Sequence, residues 1–258
     1  MIKVNDYVIE QNHFPDRTLH VNAIDGFSPT CVTWLYESDA ELFTLICIRQ
    51  HYKNIPLTLY MPYCPHARMD RVKKGTDVFT LKHFCGVINS LHFEKVYITD
   101  AHSNVATALL DRCVNVNVED KIKKVVDSIN DDCLVAFYPD EGAMKRYSEQ
   151  SNLPYAFGIK KRDWSSGKIL GLQLINEDII AGNNILIIDD ICSRGGTFYH
   201  SANALKEAGA NDIYLYITHA EMTMVYGDMY NQDIVNKIFT TNSLFKPEWD
   251  VKGKVQII

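Results

Sequence analysis

The sequence predicts an α/β protein built on largely parallel sheets, and three observations carry that expectation. Strand-like and helix-like stretches alternate along the whole chain. Residues 185–188, Ile-Leu-Ile-Ile, are a short apolar run that reads as a strand buried on both faces. Asp189 and Asp190 stand at its C-terminal end, which is where open α/β sheets bind ligands.

Taken in order, residues 1–10 alternate weakly and suit an edge strand, and residues 14–21 read as a loop leading into a strand. Residues 31–36 suit another strand. Residues 40–52 fit a helix, with Leu42, Leu45, Ile46 and Arg49 spaced by three and four. A strand over 55–60 is followed by a helix over 77–90, where Phe79, Leu81, Phe84, Val87 and Ile88 are apolar, and by a strand over 95–99. The charged run 119–132 places Ile122, Val125, Val126 and Ile129 on one side, which predicts a helix joining two halves of the chain. Strands follow at 134–138, 185–188 and 213–218. Between the last two, Phe198, Ala202 and Leu205 mark one face of a helix that Gly209 closes.

Bulk properties narrow the class. A chain of 258 residues has room for two modest domains, and 47% hydrophobic with 22% charged residues fits a globular protein. The net charge of −6 argues against a nucleic-acid surface. No apolar run is long enough to span a membrane, and the first residues lack a signal-peptide core. The seven cysteines have no C-x-x-C spacing, so reduced thiols and a cytoplasmic location are expected, and a zinc site is not.

Several short stretches carry chemistry. Ser193-Arg194-Gly195-Gly196-Thr197 lies between the acidic pair and the following helix. Glycines there let backbone N–H groups turn toward an anion, and the helix N-terminus adds partial positive charge, which makes a phosphate cradle. Asp189 and Asp190 would then suit ribose hydroxyls or a magnesium ion beside the phosphate. Alone, the pair is as readily an acidic strand end before an ordinary turn. In Pro62-Tyr63-Cys64-Pro65-His66-Ala67-Arg68-Met69-Asp70-Arg71 two prolines impose a rigid turn. Its arginines suit a bound anion or a surface ion-pair cluster. His102, in Asp100-Ala101-His102-Ser103, follows a strand; a lone histidine is more often structural. Pro139-Asp140-Glu141-Gly142 has the residue types of a plain turn. Lys160, Lys161 and Arg162 precede Trp164-Ser165-Ser166-Gly167-Lys168, which is rich in turn formers and reads as a mobile loop or a solvated basic hairpin.

Together and in this order, the stretches resemble the ribose-phosphate pyrophosphokinase family, over roughly residues 14–243. The segment from residue 189 to 197 is similar to the phosphoribosyl-pyrophosphate loop that this family shares with type I phosphoribosyltransferases. Pro-Tyr-x-x-x-Ala-Arg-x-Asp-Arg looks like its ATP-binding segment. Ser193 and Arg194 depart from the pattern, which commonly has an acid and Thr there. The resemblance implies two similar doubly wound, phosphoribosyltransferase-like parallel-sheet domains: an ATP-binding domain over 1–118 and a phosphoribosyl-binding domain over 119–258. It implies transfer of the β,γ-diphosphoryl group of ATP to the anomeric hydroxyl of ribose 5-phosphate, with AMP leaving. Lys160 and Arg162 would be catalytic, on the family's flexible loop. Arg68, Asp70, Arg71, His102, Phe14 and Asp16 would bind ATP, and His102 and Asp140 would hold Mg²⁺. Asp189, Asp190, Ser193, Arg194, Gly195, Gly196 and Thr197 would bind the sugar phosphate. A homo-oligomer is implied, because the family's counterpart of Phe14-Pro15-Asp16 reaches a neighbouring subunit's adenine. Three alternatives stand beside this reading: the same reaction on ADP-ribose, a phosphoribosyltransferase that consumes the activated sugar, and a non-catalytic family member.

Overall fold

The computed structural model describes residues 1–24, 26, 28–162 and 169–258, with only the backbone described at 160–162 and 169–170. The chain splits into two compact units, Met1–Asn117 and Val118–Ile258. No helix among the described residues is long and apolar enough to cross a membrane.

The first unit opens with strands β1 (Ile2–Val4) and β2 (Tyr7–Val8), an antiparallel pair rather than one edge strand. Asn5 makes the turn at φ +50°, a value that asparagine tolerates better than most residues, and its Oδ1 accepts the Cys31 N–H at 3.2 Å. Strands β3 (Gln11–His13) and β4 (Leu19–Val21) form a separate two-stranded hairpin. Then come β5 (Cys31–Trp34), α1 (Ala40–His51), β6 (Thr58–Tyr60), α2 (Thr80–Ser90), β7 (Val96–Thr99), α3 (Asn104–Leu109) and β8 (Cys113–Val116). The sheet order is β2-β1-β5-β6-β7-β8, and β5 to β8 are parallel.

Each helix of this unit joins neighbouring strands in one direction across the sheet, so right-handed crossovers put all three on one face. Leu45, Ile48, Leu81, Phe84, Ile88 and Ala106 accordingly share one core with Val32, Trp34, Leu59 and Ile98. On the other face Tyr60, 41% exposed, stacks on Tyr97 at 4.8 Å between ring centroids. Helix α1 turns a different edge inward than its leucine spacing suggests. Glu41 is buried, because its Oε2 accepts from Trp34 Nε1 at 2.9 Å and from the Glu37 N–H at 2.8 Å. Ile48 is buried with it, while Leu42 and Ile46 only flank the core. Helix α2 starts later than residue 77, since the Asp77 carboxylate is taken up by the N–H groups of Lys73 and Lys74 at 2.9 and 3.0 Å.

The second unit runs α4 (Glu119–Ile129), β9 (Val135–Tyr138), α5 (Glu141–Ser151), β10 (Tyr155–Arg162), β11 (Ile169–Ile175), β12 (Ile185–Cys192), α6 (Gly196–Glu207), β13 (Ile213–Ala220), α7 (Asp228–Asn231), β14 (Lys237–Thr240) and β15 (Val255–Ile257). Its sheet order is β11-β10-β9-β12-β13-β14-β15, parallel except for the β10–β11 pair. From the adjacent pair β9 and β12 the chain winds outward both ways, which places helices on both faces. Strand β12 therefore feeds two cores. Ile185 and Ile187 pack with Phe198, Ala202 and Leu205, whereas Leu186 and Ile188 pack with Ile122, Val125 and Tyr147. All four strand residues are 0% exposed, each stabilising the unit by about 1.5–3 kcal/mol.

Candidate active site

The reversal of winding between β9 and β12 creates a switch point, and the crevice at the carboxyl ends of those strands is the expected ligand site. Phe137 lies beside Ile187 in register, so Asp140 and Asp190 each follow three residues further along neighbouring strand ends. Asp140 caps α5, its Oδ1 accepting the Ala143 N–H at 3.0 Å. Asp189 Oδ1 accepts the Asp190 N–H at 2.9 Å. Burial pushes the Asp189 carboxyl well above the usual carboxylate range, and the neighbouring Asp190 and Asp140 carboxylates push it further. These carboxylates thus influence one another, and the Arg146 guanidinium meets one of them: Arg146 Nη1 lies 2.9 Å from Asp190 Oδ2. Among the described residues no group of three or more His, Cys, Asp or Glu is placed to hold a metal ion by itself, and Mg²⁺ is usually held by one or two carboxylates plus substrate phosphates.

Beside these groups the 193–197 loop turns into α6. Gly195 sits at φ +74°, a conformation that favours glycine, and a Cβ there would also crowd the Met229 side chain at 2.9 Å. Gly196, Thr197 and Arg194 are exposed, and the first N–H groups of the twelve-residue helix α6 have no intrahelical acceptor. Such a helix start suits an anion. Ser193, which stands where an acid is common, hydrogen-bonds Thr223 Oγ1 at 3.1 Å, and Thr223 donates to Glu221 Oε2 at 3.3 Å. A carboxylate therefore does reach the loop, through a threonine thirty residues on.

The loop is braced from behind. A Cβ on Gly227 would lie 1.9 Å from the Arg194 carbonyl oxygen and 2.8 Å from its carbon, both of them backbone atoms. Gly227→Ala is expected to cost about 1–3 kcal/mol of stability by overpacking and to weaken binding of a sugar phosphate. An unchanged melting temperature and unchanged binding would show that the contact does not matter.

In the first unit, the turn after β6 and the segment after β7 meet. Arg71 Nε lies 2.9 Å from Asp70 Oδ1, and Asp70 is 9% exposed. Burial pushes the Asp70 carboxyl up, but the Arg71 hydrogen bond, helped by Ser103 and His102, outweighs it and holds Asp70 below its usual range. Arg68 is exposed, and Asp100, at φ +49°, is buried. His66 takes φ +62° and reaches Asp39 Oδ1 at 3.1 Å. Phe14 and Asp16 sit at the tip of the β3–β4 hairpin, with Phe14 against His20 at 4.9 Å and Asp16 Oδ1 accepting the Thr18 N–H at 3.0 Å. Lys160 and Arg162 belong to β10 by their backbone; their side chains, like all of 163–168, lie outside the described residues.

Sequence reasoning passed over Arg146. Its signal was a charge three residues after buried Ala143 and next to Tyr147, on the edge of the helix that faces the core.

Topology and site define an α/β protein with a ligand crevice at a switch point of its second sheet. No family model matches the chain. A ribose-phosphate pyrophosphokinase of Mycoplasma pneumoniae is 26% identical over 268 residues, covering 97% of this chain and 80% of that one. A ribose-phosphate pyrophosphokinase of Thermococcus kodakarensis is 28% identical over 221 residues, covering 82% and 77%. The solved phosphoribosylpyrophosphate synthetase from Mycobacterium smegmatis has the same fold, with a TM-score of 0.78 at 18% identity over 97% of this chain and 85% of that one. Over most of its length the chain is similar to ribose-phosphate pyrophosphokinases.

Proposed function

We propose that the protein transfers the β,γ-diphosphoryl group of ATP to the 1-hydroxyl of ribose 5-phosphate. The observation that carries this reading is the crevice at the β9–β12 switch point, where an acidic pair stands beside the glycine-containing start of α6. The anomeric oxygen attacks the β-phosphorus in line. The bond from the β-phosphorus to the oxygen bridging it to the α-phosphorus breaks, AMP leaves on that oxygen, and the hydroxyl proton passes to solvent. Little covalent chemistry falls to the protein, so positioning and charge neutralisation dominate.

The 193–197 loop holds the 5-phosphate through backbone N–H groups and Arg194. The acidic pair serves the ribose hydroxyls. Arg68, Asp70, Arg71 and His102 bind ATP, with Phe14 and Asp16 serving the nucleotide of a neighbouring copy in a homo-oligomer. Lys160 and Arg162 neutralise the transferring group. Mg²⁺, for which His102 in the first unit and Asp140 in the second are each a proposed ligand, would supply charge neutralisation on phosphate oxygens when bound. Asp140 has a second duty as a cap, so the two can be separated. Asp140→Asn is expected to keep the cap and the melting temperature while raising the Mg²⁺ concentration for half-maximal rate about tenfold or more. An unchanged Mg²⁺ titration would remove Asp140 from the metal.

The deciding assay combines the protein with ATP, Mg²⁺ and ribose 5-phosphate and identifies products by phosphorus NMR, with ADP-ribose as a parallel acceptor. AMP with a 1-diphosphorylated ribose 5-phosphate is expected. ADP formation, no turnover, or turnover of ADP-ribose alone would overturn the proposal. Light scattering tests the oligomer, which a fully active monomer would refute.

A further inference from the structure

We propose that Arg146 is a positioning residue of the acceptor site, fixing Asp190 and leaving Asp189 as the carboxylate that meets the sugar. The inference rests on the functional reading above and divides the acidic pair into two roles. Successive residues of a strand face opposite sides of the sheet. Leu186 and Ile188 belong to the core on the α5 side, and Asp190 continues their row; Ile185 and Ile187 belong to the core on the α6 side, and Asp189 continues theirs. Asp189 therefore shares its side with α6, and Asp190 shares its side with α5.

The contacts follow that division. Asp190 is 5% exposed, and an ionised carboxylate so placed needs a counter-ion. Arg146, 44 residues earlier in the chain, provides it at 2.9 Å. The guanidinium is itself held: it lies 5.6 Å over the ring of Tyr147, which is 0% exposed, and Nη1 is 3.5 Å from the Tyr147 hydroxyl. The ion pair thus ties α5, the helix capped by Asp140, to the strand that bears the acidic pair. Asp190 in turn donates its N–H to Asp189 Oδ1 at 2.9 Å, so fixing Asp190 also orients Asp189. Arg146 acts on the sugar through these two residues rather than by touching it.

The test uses the whole chain and the variants Arg146→Met, Arg146→Lys, Asp190→Asn and Arg146→Met/Asp190→Asn. Calorimetric binding of ribose 5-phosphate and steady-state KM for each substrate are measured, with melting temperatures as the check on folding. Arg146→Met should weaken ribose 5-phosphate binding and raise its KM about tenfold or more, with the KM for ATP within about twofold. Arg146→Lys should recover much of the loss. The double variant should lose less than the product of its single losses, because Asn leaves no buried charge behind. If Arg146→Met does not fold, Arg146→Lys and Asp190→Asn still report the KM split. Wild-type binding with an unaffected or unselective Arg146 series would overturn this inference alone. Absence of ribose 5-phosphate binding by the wild-type chain would overturn the functional reading and this inference with it.

Discussion

Lys160→Ala and Arg162→Ala should each lower kcat by about 100-fold or more while leaving the KM for ATP within a few-fold. The charge that moves in diphosphoryl transfer shifts from the attacked phosphorus toward the departing AMP oxygen. A cation that follows that shift stabilises the transition state more than the bound substrate, so its loss shows in kcat. Both residues close β10 by their backbone, where pairing with β11 shifts register between Lys161 and Arg162. Lys161→Ala serves as the comparison and should lower kcat far less. A near-normal kcat in the Lys160 and Arg162 variants, or a larger loss from Lys161→Ala, would take the role away from this pair.

What the sequence made legible was local. The run at 185–188, the acidic pair and the glycines before α6 are consecutive, and each signal lies within one turn or one strand of the next. The strand was read short, because β12 continues through the aspartates to Cys192, with Asp189 beside Ile217 and Cys192 beside Ala220. Polar residues hid that extension, since strand assignment from sequence leans on apolar side chains. The winding of the sheets was not legible. Alternating strands and helices fit a sheet built in one direction, as in the first unit, as well as one built in two, as in the second; strand order decides, and neighbouring residues do not encode it. The longer-range parts of the site escaped for the same reason. Arg146 meets Asp190 across 44 residues, and Ser193 meets Thr223 across 30. Helix α5, whose buried face is only Ala143, Tyr147 and Ser151, has too few apolar positions to announce itself.

Asp189→Asn should make the protein more stable and less active at once. Its carboxyl is held above the usual range by burial first, then by the Asp190 and Asp140 carboxylates, with the Asp190 N–H pulling the other way. The folded chain therefore keeps this proton to higher pH than the unfolded chain, whose carboxyl titrates near about 4. Between those two points the folded state binds more protons, so stability falls as pH rises, and above the folded value the cost is fully present. Asparagine keeps the shape and cannot ionise. Without metal or substrate at pH 8, the variant should melt about 2 °C or more above wild type, and the gap should close as pH falls toward about 4. The charge that costs stability without substrate is, in the proposed function, the acceptor for a sugar hydroxyl, and a hydrogen bond to a charged group contributes about 1.5–3 kcal/mol. The kcat/KM for ribose 5-phosphate should accordingly fall about 10- to 100-fold. A variant that melts at or below wild type at pH 8 would show that Asp189 is not held at a cost. One that keeps its kcat/KM would show that the carboxylate does not meet the acceptor.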